Sequence, residues 1–243
     1  MDPPYGDTFG GYTLQLTGNY LGSNSNVQIL IDNVPCVYVS SNGTELVCTV
    51  GARATPPDQN TFVVLIEGRR AYIKQEFMYV LKWSDPRTWG TDLPPIDGDI
   101  IYVPAGQTLL VDQDTPHIEG IAVKNGTLIF SNSTSITVKT GFITMVGGRF
   151  IAGTEENPHH ANLVFEMYGG YYGAQQPMAG NKGIFCLDCK FSMYGKPRSP
   201  TWTTLSDTIT PGSLSFNVSQ AVDWQVGEKI VVASTSFNPA EAE

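Results

Sequence analysis

Charge is scarce in this chain, and basic charge scarcest of all. Only 15 % of its 243 residues are Asp, Glu, Lys or Arg, with 14 basic against 23 acidic side chains and a formal net charge of −9. A phosphate backbone is held by a concentrated basic footprint, and none is present, which argues against nucleic-acid binding. Long apolar runs are also missing. No segment approaches the roughly 18 consecutive apolar residues that a membrane-spanning helix needs. The opening Met1-Asp2-Pro3-Pro4 has no basic-then-apolar leader pattern, which does not make the chain cytosolic, and both ends read as cut from something longer. Histidine and cysteine are few, three and four respectively. Cys186-Leu187-Asp188-Cys189 is a C-x-x-C with no second pair to complete a zinc site, and it sits in a strand pattern where a redox dithiol prefers a helix N-terminus. No nucleophile–base pairing, phosphate-cradling glycine loop or cofactor motif occurs, so neither an enzyme nor a cofactor is expected.

What the chain does have is apolar residues at 41 %, with 25 Gly and 16 Pro. That composition describes a packed, turn-rich, all-β protein of one large or two modest domains. Three stretches repeat one pattern, an apolar strand, a break at a small residue, and a second alternating strand. They are Gly120–Phe130, Gly141–Phe150 and Gly183–Phe191. Gly126 and Gly148 stand 22 residues apart, and Gly148 and the matching Cys189 stand 41 apart, close to two such steps. Residues 161–169 are the candidate for the intervening turn. A period of roughly 20 to 50 residues marks a stacked array, which favours scaffolding and recognition over a buried catalytic centre.

Residues 9–80 have another texture. Thr13–Leu16, Val27–Ile31, Cys36–Val39, Glu45–Val50 and Phe62–Ile66 are short strands punctuated by turns, the pattern of a β-sandwich. A disulfide from Cys36 to Cys48 would close a strand–turn–strand unit around Ser41-Asn42-Gly43. Residues 186 and 189 of a regular strand face opposite ways, so a Cys186–Cys189 bridge needs a bulge, and two separately buried thiols are the other reading. Four sequons, beginning at Asn42, Asn125, Asn132 and Asn217, join the cysteine pairs in pointing to an oxidising, secretory setting with N-linked glycans.

The first 82 residues resemble an IPT/TIG domain, the immunoglobulin-like module of plexins and fibrocystins. The resemblance rests on Pro4-x-Gly6, Gly10-Gly11-Tyr12-Thr13-Leu14-Gln15-Leu16-Thr17-Gly18-Asn19-Tyr20-Leu21, Val34-Pro35-Cys36 and Leu46-Val47-Cys48-Thr49. Members begin with a strand ahead of the Pro-x-Gly turn, so the first strand is expected to be missing here. Residues 83–243 resemble the G-eight domain of fibrocystins and of the cell-migration-inducing hyaluronan-binding family. The matching residues include Trp89, Asp97-Gly98-Asp99-Ile100-Ile101, Gly147-Gly148-Arg149-Phe150, Met193-Tyr194-Gly195, Thr201-Trp202 and Asp223-Trp224-x-Val226-Gly227-Glu228. Asp188-Cys189 replaces the Gly-Gly that the family carries before its third rung.

This order of modules resembles fibrocystin-like proteins. It implies an immunoglobulin-like β-sandwich over 1–82, then a right-handed parallel β-helix over 83–243 that continues past the last residue. The implied role is a non-enzymatic structural or adhesion segment of a large glycoprotein, extracellular or at the cell or ciliary surface, membrane-anchored at full length. Its implied partners are other extracellular proteins or copies of itself. The alternative is a polysaccharide-binding module, or one that depolymerises hyaluronan.

Several residues carry chemistry-bearing side chains. Asp112 and Asp114 have the i, i+2 spacing of carboxylates on one strand face, although a solvated turn before Pro116 suits them better. Glu155-Glu156-Asn157-Pro158-His159-His160 has acid–base residue types but reads as a loop. Tyr168, Tyr171 and Tyr172 with Gln175 and Gln176 offer aromatic faces to a sugar, or pack back from a glycine-rich loop. Trp202 and Trp224 are expected to plug the interior of the array.

Overall fold

The computed structural model describes residues 5–22, 26–53, 61–74, 77–90, 93–170, 180–234 and 238. The chain divides into two compact units, 1–195 and 196–243. The described residues are all-β apart from one 3-10 turn, Pro86–Trp89, whose first backbone amides are capped by Asp85.

Within the first unit, β2 (Thr13–Thr17), β3 (Val27–Ile31), β4 (Val34–Ser41), β5 (Glu45–Val50), β6 (Phe62–Ile66) and β7 (Arg69–Arg70) form an antiparallel sheet in the order β2-β5-β4-β3-β6-β7. Alternation decides which face is buried. Leu14 and Leu16 of β2 lie opposite Cys48 and Leu46 of β5, and all four point into one core with Ile29, Ile31 and Val64. Cys36 and Cys48 are disulfide-bonded diagonally across β4 and β5, with Cα atoms 5.5 Å apart, and both are buried.

Two further strands close this core and continue beyond it. β1 (Tyr5–Asp7) pairs in parallel with β8 (Met78–Lys82). Residues 5–7, expected to follow a missing strand, are thus themselves a strand. β8 alternates between two environments. Phe77, just before it, and Tyr79 enter the core of the antiparallel sheet, whereas Val80 packs with Leu110 and Ile129 on the opposite face. On its free edge β8 pairs with β10 (Thr108–Val111), so one parallel sheet runs β1-β8-β10-β12-β14-β17 without a break. Its later members are β12 (Thr127–Phe130), β14 (Arg149–Ala152) and β17 (Lys190–Met193).

A second parallel sheet holds β9 (Ile100–Val103), β11 (Ile118–Lys124), β13 (Ile136–Val146), β15 (Leu163–Met167) and β16 (Gly183–Leu187). From β9 onward the chain alternates between the two sheets, each return laying a new strand beside the last. Inward-facing Ile101, Val111, Ile121, Val123, Leu128, Val138, Ile143 and Met145 fill the space between them. Phe130, Phe150 and Phe191 stack through that core at centroid spacings of 5.1 and 4.5 Å. Trp83 packs into the same cluster, edge-on to Trp89 at 5.2 Å, and the Trp89 indole N–H donates to the Trp83 carbonyl.

The corner glycines have a steric cause. A Cβ on Gly148, at φ +78°, would lie 2.1 Å from the Gly126 carbonyl oxygen, and one on Gly126 would lie 2.8 Å from that of Pro104. No side chain fits where successive turns press backbone on backbone. The matched positions do stack: the amides of Arg149 and Lys190 donate to the carbonyls of Gly126 and Gly148. Two expectations are corrected. Residues 161–169 do not form an extra coil, because the long β13 pairs with β15 along its first half and with β16 along its second. The 41-residue interval is therefore one turn with a detour in mid-rung. Nor does the C-x-x-C lie within a strand: β16 ends at Leu187, Asp188 turns the corner at φ +53°, and Cys186 and Cys189 are bonded across that corner.

In the second unit the described residues form turns and one isolated bridge, Leu205 to Val218. Arg198 pairs with Glu228, and the Trp224 indole donates to the Pro200 carbonyl. Trp202 is 74 % exposed, so it does not plug an interior as expected.

Candidate functional site

Polar side chains concentrate at the corners where the chain passes from one parallel sheet to the other. The carboxylates of Asp112 and Asp114 are both used there, in opposite directions. Asp112 follows β10 and reaches back one turn, accepting from the Ser84 amide at 3.0 Å and the Ser84 hydroxyl at 2.7 Å. Asp114 reaches forward and accepts from the Thr137 amide at 2.7 Å. Next to Asp114, Thr115 is buried, and its hydroxyl oxygen accepts from the Lys139 amide at 2.8 Å. The pair is split between the two neighbouring turns, so it does not converge on one acid–base or cation site. Asp97 does the same work on the other sheet, accepting from the His117 amide at 2.8 Å.

The Glu155–His160 loop also separates its candidates. Glu155, Glu156 and His160 are exposed, whereas His159 turns inward, its amide donating to the Tyr194 carbonyl. The buried His159 Nε2 has no hydrogen-bond partner among the described residues. Burial, and then the neighbouring His160, hold its imidazole below the ordinary histidine value. The Asn132 carboxamide spans this loop from the preceding turn. Its Oδ1 accepts from the amides of His160 and Ala161, and its Nδ2 donates to the Pro158 carbonyl at 3.0 Å.

Of the tyrosine cluster, Tyr168 lies among the described residues, while Tyr171, Tyr172, Gln175 and Gln176 lie outside them. Tyr168 does not stand free for a sugar. Its ring packs against His117 at 5.4 Å, and its hydroxyl donates to the Ile118 carbonyl. Burial raises its pKa, with Asp97 and Glu119 adding to the effect. Sequence reasoning missed this His117–Tyr168–Asp97 grouping because the partners come from separate turns.

It also missed a buried ion pair near the antiparallel sheet. Arg53 Nη1 stands 3.5 Å from Asp32 Oδ2, both side chains almost wholly buried, with the guanidinium over the Tyr79 ring. Asp32 also accepts from the Thr61 amide at 2.6 Å. Desolvation drives both charges toward neutrality, raising the Asp32 pKa and lowering that of Arg53, against the attraction between them. The same burial pushes the Tyr79 phenol up to about 12. The sequence signals only the turn, as Asp32-Asn33 between two apolar runs, and both residues take positive φ between β3 and β4.

The four sequons sit in different surroundings. Asn42 is exposed at the tip of the β4–β5 hairpin. Asn125 is at a corner with φ +51°, its Oδ1 lying over Gly147, and its sequon hydroxyl on Thr127 is buried. Asn132 binds the loop just described, and Asn217 is exposed in the second unit. Among the described residues, no three His, Cys, Asp or Glu side chains are arranged to hold a metal ion. Nor, among them, is any helix long and apolar enough to cross a membrane.

Comparison with known proteins adds what geometry leaves open. Residues 1–78 match the IPT/TIG domain model, and residues 88–206 match the G8 domain model. The chain is 30 % identical over 246 residues to Fibrocystin-L of Mus musculus, covering 100 % of this chain and 6 % of that protein. It is 25 % identical over 213 residues to Fibrocystin of Mus musculus, covering 85 % of this chain and 5 % of that one. Protein rliB of Dictyostelium discoideum is 28 % identical over 166 residues, covering 65 % of this chain and 15 % of the relative. The chain therefore spans a small fraction of the curated relatives it matches. No solved structure matches it.

Proposed function

We propose, from an IPT/TIG domain followed directly by a G8 domain in a chain similar along its whole length to fibrocystin-L, that this is a structural and adhesion segment of a large surface glycoprotein. In this reading residues 1–82 are an immunoglobulin-like sandwich and residues 83–243 begin a right-handed parallel β-helix. The segment is non-enzymatic and faces the outside of a cell or cilium. The full-length protein is membrane-anchored, and the segment meets other extracellular proteins or copies of itself.

One observation carries the proposal. β8 belongs to both modules, pairing with β1 on one edge and β10 on the other, with Tyr79 facing one core and Val80 the outer cluster. A shared strand transmits orientation where a linker would not, which suits a protein that presents surfaces at fixed angles. The Asp112 and Asp114 carboxylates are meanwhile spent on backbone amides at the corners. The alternative, a module that binds or cleaves hyaluronan, is tested directly. The chain, and a version extended beyond residue 243, are incubated with size-defined hyaluronan with and without calcium, and chain length and retention are followed. Unchanged, unretained hyaluronan is expected. Shortened chains would overturn the structural reading and send mutagenesis to Asp112, Asp114, Glu155 and His160.

A further inference from the structure

We propose that the fold sorts the sequons: Asn42 carries an N-linked glycan, and Asn132 stays bare in the folded protein. The inference rests on the surface reading above only in requiring passage through the secretory pathway.

Asn42 opens the turn Asn42-Gly43-Thr44 between β4 and β5 and is exposed. Its Oδ1 accepts from the amides of Thr44 and Glu45, at 3.1 and 2.7 Å, and from the Thr44 hydroxyl at 3.1 Å. Three donors converging on the oxygen fix the carboxamide with its nitrogen outward. The nitrogen donates to the half-buried Glu45 carboxylate at 3.3 Å. A glycan there projects from a hairpin tip into solvent and displaces only the hydrogen bond to that side-chain carboxylate, which is free to turn to water. The acceptor chemistry is ordinary glycosyl transfer. Nδ2 forms a bond to the anomeric carbon of an oligosaccharide carried on a lipid pyrophosphate. The bond from that carbon to the pyrophosphate oxygen breaks, the lipid pyrophosphate leaves, and Nδ2 gives up one proton.

Asn132 is also solvent-accessible, but both ends of its carboxamide are occupied by one short run of the next turn, residues 158–161. Because oxygen and nitrogen both face that run, the donating N–H is the one on the oxygen's side. A secondary amide of the usual geometry puts its substituent on that same side. The sugar would replace the hydrogen that binds the Pro158 carbonyl and would enter where the loop runs. That loop also supplies the inward-facing His159 and its amide bond to Tyr194. A chain glycosylated at Asn132 before folding cannot close this corner, so the folded product is the unmodified one.

The test gives the chain a heterologous secretion leader in a eukaryotic host, so that entry to the pathway is imposed. The folded, secreted protein is mapped by glycopeptide mass spectrometry after enzymatic deglycosylation in heavy-oxygen water. Two variants remove one sequon each without touching the asparagine: Thr44→Ala and Thr134→Ala. The expected result is a glycan on Asn42, none on Asn132, loss of one glycan's mass in Thr44→Ala and no shift in Thr134→Ala. A glycan on Asn132 of the folded protein, or a secreted protein bare at Asn42, overturns the proposal. Should Thr134→Ala fail to fold, mapping of the parent protein still reads Asn132. Surface labelling of the native protein on intact cells tests the surface reading separately, so the two failures are distinguishable.

Discussion

Phe150 is the residue whose loss tests the packed interior most directly. It is fully buried on β14, stacked on Phe191 at 4.5 Å, tilted against Phe130 at 5.1 Å and within 6.0 Å of Phe165. Phe150→Ala removes a ring held by three others, from three different strands. A buried Phe-to-Ala change costs about 3–5 kcal/mol, the spread reflecting how far the site can collapse. Collapse is limited here, because the strand of Phe130 is paired in parallel on both sides and that of Phe165 along its length with β13. At about 2–4 °C per kcal/mol for a domain of this size, the melting midpoint should fall by roughly 6–20 °C. Circular dichroism melts and urea titration on the same preparation give the midpoint and the slope together. Phe191→Ala should cost less, since Phe191 is 47 % exposed at its end of the stack. The double variant should then be less destabilised than the two losses added, because the contact is counted once in each single variant; stacked aromatic pairs couple by about 0.5–1.5 kcal/mol. A Phe150→Ala protein melting within a degree of the parent would refute the continuous aromatic core.

Two further outcomes follow from buried charge. Arg53→Met strands the buried Asp32 without its counter-ion and should destabilise by about 3–5 kcal/mol, while adding Asp32→Asn should recover part of that loss; chemical denaturation of the three proteins checks it. His159 binds its proton less readily folded than unfolded, where its value is near 6.5, so the unfolded chain takes up more protons as pH falls through that value. Stability contributed by the neutral ring is thus complete above about 6.5 and lost below it. Melts across that range should show His159→Gln flattening the acid limb, and an unchanged limb would assign it to the carboxylates.

Much of the fold was legible in periodicity. The five expected strands of the antiparallel sheet alternate with period two, and the stacked Gly126, Gly148 and Cys189 sit at equivalent places because backbone contact at a corner admits little side chain. The detour inside the third rung was not legible. Leu163–Met167 has the pattern of a whole strand, and only its pairing with half of β13 shows that it is half a rung. The C-x-x-C was misplaced for a similar reason: alternation is a property of a strand's interior, and Asp188 takes a corner conformation that no alternation signals. Candidate site residues were harder still. Asp112 and Asp114 look like a pair in sequence, yet the turn between them points one back to Ser84 and the other on to Thr137.

By itself the sequence determined strand content, the corner positions and the two module types, because each depends on near neighbours: side-chain alternation, backbone freedom at small residues and the order of local motifs. The tertiary structure alone decided that β8 serves both modules, that the corner carboxylates hold backbone, that Arg53 finds Asp32, and that the Asn132 amide binds backbone of the next turn while that of Asn42 bonds only within its own hairpin. Those outcomes join residues some 20 to 75 positions apart, brought together by stacking whose register no local pattern encodes.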